Sequence, residues 1–149
     1  MSVDVKYRAE ASATGGGRNG SAILASGMLS VAMATPKELG GSGKGHNPEE
    51  LFALGYAACY LGAMRFVAQA EKLGVVPEEA SVTATVGIGP RSDGGFGLAV
   101  DLVVSMPGVD AETARRIAEQ RATPQAAEGL AAFLEKRPPG WLERASDGR

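Results

Sequence analysis

The chain reads as a one-domain α+β protein, and three observations carry that reading. Its strands fall in runs instead of alternating strictly with helices, the pattern that separates α+β from βαβ folds. One long segment is apolar all the way round a helix. After it, two alternating apolar segments flank a glycine-rich turn and make a hairpin. At 149 residues the chain is long enough to bury a core.

The elements follow in order. Val3, Val5, Tyr7, Ala9 and Ala11 alternate with polar residues, so a half-buried strand is predicted from Val3 to Ala13. The turn from Gly15 to Gly20 leads to a short strand from Ser21 to Ala25. Ser26-Gly27 then connects tightly to a third strand from Met28 to Ala34, which gives a meander. A glycine-rich loop with one proline runs from Thr35 to His46. At Asn47-Pro48-Glu49-Glu50 a helix must start: Asn47 can cap, Pro48 suits the first position, and the two acids favour the positive end of the dipole. The helix is expected to reach about Leu73 and stop at Gly74. Between Leu51 and Met64 it carries no charge, and this run of 14 falls short of the ~20 apolar residues that span a bilayer. A buried central helix is therefore expected. Val82, Ala84, Val86 and Ile88, then Leu98, Val100, Leu102, Val104 and Met106, form the hairpin around Ser92-Asp93-Gly94-Gly95. Asp110 caps a second helix with Ala114, Ile117 and Ala118 inward. Residues 126–136 could form a short helix, stopped by Pro138-Pro139-Gly140, and the last ten residues read as a frayed tail. The order is βββα(β)ββα, with the bracketed strand optional.

Composition narrows the function. A net charge of −2 leaves no electrostatic footprint for nucleic acid or an anionic membrane, so neither is expected as a partner. The N-terminal residues lack the apolar core of a signal peptide. A single cysteine rules out a disulfide framework within the chain and fits a reducing compartment, so the cytoplasm is expected. No group of histidines, cysteines and acids is spaced to hold a metal. The loop around Gly40–Gly45 fails the P-loop pattern, because Gly45 follows Lys44 where Ser or Thr is needed.

Several ordered blocks carry a more specific signal: Ala13-Thr14-Gly15-Gly16-Gly17-Arg18-Asn19-Gly20, Thr35-Pro36-Lys37-Glu38-Leu39-Gly40-Gly41, and Asn47-Pro48-Glu49-Glu50-Leu51-Phe52-Ala53-Leu54-Gly55-Tyr56-Ala57-Ala58-Cys59. Ser81-Val82-Thr83-Ala84-Thr85-Val86-Gly87-Ile88-Gly89-Pro90 and Phe96-Gly97-Leu98 extend them. Over about residues 3–119 the chain resembles the organic hydroperoxide resistance (Ohr) branch of the Ohr/OsmC family. The resemblance implies an intertwined homodimer, with two long helices wrapped by sheets and active sites at the subunit interface. It implies thiol chemistry without metal or organic cofactor, in which a peroxidase reduces organic hydroperoxides and is re-reduced by a lipoylated protein or another external dithiol. Carried over, Cys59 is the peroxidatic thiol, Arg18 stabilises the thiolate and positions the peroxide, and Glu49 orients Arg18.

The chain departs from the family at its C-terminal end. A second, resolving cysteine in a segment resembling Cys-Pro-Tyr-Ser, and the final strand, have no counterpart here. An Ohr/OsmC-like domain over residues 1–122 and a divergent tail over 123–149, not a separate domain, are expected; a frame change or a replaced terminus would account for the break. With no resolving cysteine, an external thiol must attack the Cys59 sulfenic acid. An impaired relative that binds an apolar ligand in the dimer-interface cleft is the alternative.

The residues themselves support the same roles. A free thiol has a pKa near ~8.5, and apolar surroundings raise it. Cys59 sits three turns into its helix, beyond the reach of the dipole, so a fixed cation must make it a thiolate. Arg18, on a glycine-flanked turn, is the best candidate, and Lys44 the weaker one. Glu49 and Cys59 are ten residues apart, roughly 15 Å along one helix and about 80° apart in direction. One Arg18 touching both is more easily served by Glu49 from a second subunit, which favours an interfacial site. Gly55, Ala58, Gly62 and Ala63 around Cys59 allow a second helix to approach closely. Tyr56, Tyr60, Phe66 and Phe96 are candidate walls of an apolar substrate pocket, which would favour alkyl or fatty-acid hydroperoxides. His46 is read as a loop residue and Glu50 as a first-turn dipole acid.

Overall fold

The computed structural model describes residues 5–119. They form two compact units whose boundary falls inside the long helix, one up to Phe52 and the other from Ala53. The tail from residue 123 and the helix expected over 126–136 lie outside the described residues.

The first unit is the predicted meander. Strands β1 (Ala11–Thr14), β2 (Ser21–Leu24) and β3 (Ser30–Ala32) pair antiparallel in that order, with Ala13 opposite Ala22 and Ala22 opposite Val31. β1 is shorter than its alternation predicts. Pairing with β2 ends where the Ala25 N–H donates to the Glu10 carbonyl at 2.8 Å, and residues 5–10 lie outside the ladder, with Tyr7 83% exposed. Alternation marks a segment able to face a core, but a strand also needs a neighbour for its backbone groups. β3 is trimmed too: exposed Met28 belongs to the preceding turn, while Met33 makes a parallel bridge to His46.

Glycine is required in the turn between β1 and β2. Gly15, Gly16 and Gly17 all have positive φ, at 69°, 93° and 65°. A Cβ on Gly20 would lie 1.7 Å from the Thr14 carbonyl oxygen, so only glycine closes this turn. Residues Gly17–Asn19 form one 3-10 turn, which displays Arg18.

Helix α1 runs unbroken from Pro48 to Ala70. Asn47 Oδ1 accepts the Glu50 N–H at 2.9 Å, and the Glu50 carboxylate accepts the Asn47 N–H at 3.4 Å, a reciprocal capping box. The helix ends three residues before the expected Leu73. Lys72 takes the left-handed conformation at φ 53°, its N–H reaches the Gln69 carbonyl, and the Leu73 N–H reaches the Ala68 carbonyl. That is a Schellman stop, made two residues ahead of Gly74 by a non-glycine residue.

From Ala53 onward, β4 (Ser81–Pro90) and β5 (Phe96–Ser105) form the predicted hairpin, which places Val82 opposite Val104, Ala84 opposite Leu102 and Val86 opposite Val100. The optional strand before β4 is not formed, since residues 71–80 hold only turns and irregular chain. Helix α2 (Ala111–Glu119) is capped by Asp110, whose Oδ1 accepts the Thr113 N–H at 2.9 Å. Met64, Ala68, Val76, Ala80, Met106 and Ile117 make the buried cluster, with Tyr60, Leu61, Val82, Val104 and Ala114 packed against it. The Tyr60 hydroxyl donates to the Ala118 carbonyl at 2.9 Å, tying α1 to α2.

The expectation of a buried α1 is overturned within the single chain. Only Met64 and Ala68 of its 23 residues are buried. By length and composition alone the helix could cross a membrane, so the length argument from the charge-free run does not hold for the helix as formed. Burial needs a covering surface, and the described residues, with two small sheets, leave most of this helix bare.

Candidate active site

Arg18 and Glu49 of the same chain meet in the first unit, so the expectation that a second subunit supplies Glu49 is corrected: the glycine turn brings Arg18 to its own chain's carboxylate. The glycine turn lifts the Arg18 head group, and the capping box fixes the first turn of α1 on which Glu49 stands. Arg18 Nη1 donates to Glu49 Oε2 at 3.0 Å, and Nη2 donates to Oε1. Two parallel N–H···O bonds between planar groups make this the fork-to-fork geometry that arginine alone offers. The Glu49 side chain is only 11% exposed, against 38% for Arg18. The hydrogen bonds from Arg18, opposed by partial burial, hold the Glu49 carboxyl below the usual carboxylate range, and the same pairing raises Arg18. Glu49 engages two of the guanidinium's five N–H donors.

Cys59 is a free thiol and is exposed. It lies in the middle of α1 on a stripe with Leu54, Gly55, Ala58, Gly62 and Phe66, all exposed and spaced at the helical repeat. A Cβ built on Gly55 or Gly62 meets nothing within 4 Å among the described residues, so there is room on this face of α1 beside Cys59. Ala63, expected on the same face, is half-buried.

The four candidate pocket residues differ in exposure. Tyr56 and Tyr60 are half-buried and stack edge to face, one helical turn apart, with ring centroids 6.2 Å apart. Phe66 and Phe96 are 72% and 66% exposed. The described cavity of about 410 Å³ lies instead along the hairpin, lined by Gly87, Ile88, Gly89, Pro90, Arg91 and neighbours on β5. An apolar side chain closes a pocket only where a second surface faces it.

Lys44 is exposed in its loop. Among the described residues no three His, Cys, Asp or Glu side chains are grouped to hold a metal. Glu50 has more to do than serve as a dipole acid: its carboxylate takes hydrogen bonds from Asn47 Nδ2 at 3.1 Å and from His46 Nδ1 at 3.0 Å. The Asn-x-x-Glu spacing could have revealed the capping box, and the i, i+4 spacing of His46 and Glu50 the second contact. Asn19 is a second such residue, since its Oδ1 accepts the Thr35 N–H at 3.0 Å and anchors the turn that carries Arg18.

Comparison with known proteins agrees with this architecture. A family model described as OsmC-like protein matches residues 41–123, a segment that holds Glu49 and Cys59. The organic hydroperoxide resistance protein of Xanthomonas axonopodis pv. citri is 50% identical over 107 residues, covering 71% of this chain and 73% of the relative. Among solved structures, an organic hydroperoxide resistance protein from Elizabethkingia anophelis superposes with TM-score 0.70 at 42% identity, covering 78% of this chain and 82% of the other. The organic hydroperoxide resistance protein OhrB of Bacillus subtilis does so with TM-score 0.67 at 33% identity, covering 77% and 83%. Meander, long helix, hairpin and short helix thus define an OsmC-like α+β protein. The chain belongs to the Ohr/OsmC family, in its organic hydroperoxide resistance branch.

Proposed function

We propose that the chain is a thiol-dependent peroxidase that reduces organic hydroperoxides to alcohols through a Cys59 sulfenic acid. The observation that carries this reading is the two-point Arg18–Glu49 pair, an oriented cation with donors to spare in a protein with an accessible thiol. The Cys59 thiolate attacks one oxygen of the O–O bond. That bond breaks, an S–O bond forms, and the alkoxide leaves with a proton as the alcohol. Arg18 serves twice, favouring the thiolate and then stabilising negative charge on the departing oxygen.

A homodimer completes the site. Glu49 and Cys59 are roughly 15 Å apart along α1, so the pair that Arg18 makes with Glu49 is better placed to serve the thiol of a second copy. The bare stripe of small residues around Cys59 suits the close approach of that copy, and its burial would supply the missing pocket walls. The exposed apolar surface at Leu54 and Phe66 is also accounted for, because such surface marks an interface.

The sulfenic acid has no second cysteine in this sequence to meet. An external dithiol, such as a lipoylated protein, returns it to the thiol and releases water as the dithiol becomes a disulfide. A single thiol working this way fits a reducing compartment such as the cytoplasm. Mass spectrometry after one equivalent of cumene hydroperoxide tests the first half of the cycle. Sulfenic acid on Cys59, trapped with dimedone, is the expected product. An unmodified Cys59 sinks the proposal and leaves the reading of a non-catalytic binder of apolar ligands.

A further inference from the structure

We propose that His46 is a positioning residue for the Arg18–Glu49 pair. The inference deepens the functional reading above and rests on it only where turnover is concerned.

His46 is held at both ends. Its backbone N–H donates to the Ala32 carbonyl at 2.9 Å, and its own carbonyl accepts the Ala34 N–H at 2.8 Å, so it continues the edge of the meander beside Met33. Its side-chain Nδ1 donates to Glu50 Oε2 at 3.0 Å, on the first turn of α1. The meander in turn holds the arginine: the Met33 N–H donates to the carbonyl of Gly20, two residues after Arg18, and Thr35 is tied to Asn19. The ring therefore closes from Arg18 through Gly20, Met33, His46 and Glu50 to Glu49, and back to Arg18. Every link is a hydrogen bond or a short stretch of backbone within the first unit.

The consequence is mechanical. A two-point arginine–carboxylate pair tolerates little rotation of either plane. Glu49 stands on the first turn of α1, where backbone N–H groups lack intrahelical partners and fraying starts. The neighbouring Glu50 carboxylate is pinned by Asn47 from one side and by His46 from the other. Without His46, the Glu50 carboxylate keeps only its bonds from Asn47 among the described contacts, the first turn loses its side-chain tie to the meander edge, and the aim of the Glu49 carboxylate loosens.

The test compares His46→Ala with His46→Gln, whose side-chain N–H can still donate. Two readouts are used on the full chain: the Glu49 carboxyl titration by carbon NMR, and peroxide turnover with cumene hydroperoxide and dihydrolipoamide. His46→Ala should move the Glu49 titration up towards the ordinary carboxylate range, and His46→Gln should restore much of the wild-type value. Because glutamine is neutral at every pH, recovery by it excludes simple loss of the imidazolium charge. Turnover should fall about tenfold in His46→Ala, a fraction of the ~10²-fold attached to a 1 Å misplacement, and recover in His46→Gln. Alanine and glutamine variants that titrate alike, or a Glu49 titration that does not move, overturn the proposal. A Glu49 shift with unchanged turnover upholds the positioning role and removes Arg18 from the chemistry of Cys59.

Discussion

Arg18 and Glu49, 31 residues apart in sequence, lie face to face through two N–H···O bonds, one of them 3.0 Å long. The pair joins a glycine turn to the first turn of a helix, and it gives a carboxylate that is 11% exposed its countercharge. Breaking it by removing one partner leaves the other poorly compensated.

Lysine should not replace Arg18. It supplies a point charge in place of a planar fork, so Arg18→Lys keeps the sign but loses the two-point alignment. We expect kcat/KM for cumene hydroperoxide to fall by roughly 10²-fold, the loss typical of removing one oriented donor to developing negative charge. Steady-state kinetics with dihydrolipoamide as reductant measures it, and Glu49→Gln should fall in the same direction by less.

Acid should weaken the first unit through Glu49. Its folded-state pKa is depressed, chiefly by the hydrogen bonds from Arg18, so the pair contributes stability above the unfolded carboxyl value of about 4.3 and loses it as pH falls through the folded value. Glu49→Gln removes that titration. Urea midpoints at pH 7 and pH 3 should therefore differ less in Glu49→Gln than in the wild type.

Gly62→Leu separates chain folding from assembly. The Cβ position at Gly62 meets nothing within 4 Å in one chain, so the substitution should leave helix content intact. It should disrupt a partner packed on the Cys59 stripe. Sedimentation without detergent should give a dimer for the wild type and a monomer for Gly62→Leu; a monomeric wild type would remove the second copy from the site, and a requirement for detergent would favour a membrane as the cover of α1.

Ile117 is the anchor of α2, only 1% exposed in the buried cluster. Ile117→Ala should cost about 2–5 kcal/mol through lost burial and the cavity left behind. Tyr60→Phe, which removes the hydroxyl and with it the bond to Ala118, should cost about 0.5–1.5 kcal/mol. Denaturant unfolding of both variants checks the ranking.

Much of this was legible from local chemistry. Asn47, Pro48 and the two acids announce the helix start, the alternation around Asp93-Gly94-Gly95 announces the hairpin, and the glycine-flanked Arg18 and first-turn Glu49 do form a pair. What failed depended on partners distant in sequence. Residues 5–10 alternate like a strand but have no ladder among the described residues, and α1 reads as buried but is mostly bare there, because its pattern encodes a covering surface without saying where that surface comes from. The early stop at Lys72 was hidden because a lysine carries no signal for the left-handed conformation that Gly74 seemed to announce.

The central claim is that Cys59 is the peroxidatic thiol. Its most direct test is turnover of cumene hydroperoxide with dihydrolipoamide, run beside Cys59→Ser. Consumption of peroxide by the wild type and none above background by Cys59→Ser is the predicted result. Equal traces for the two proteins would contradict it.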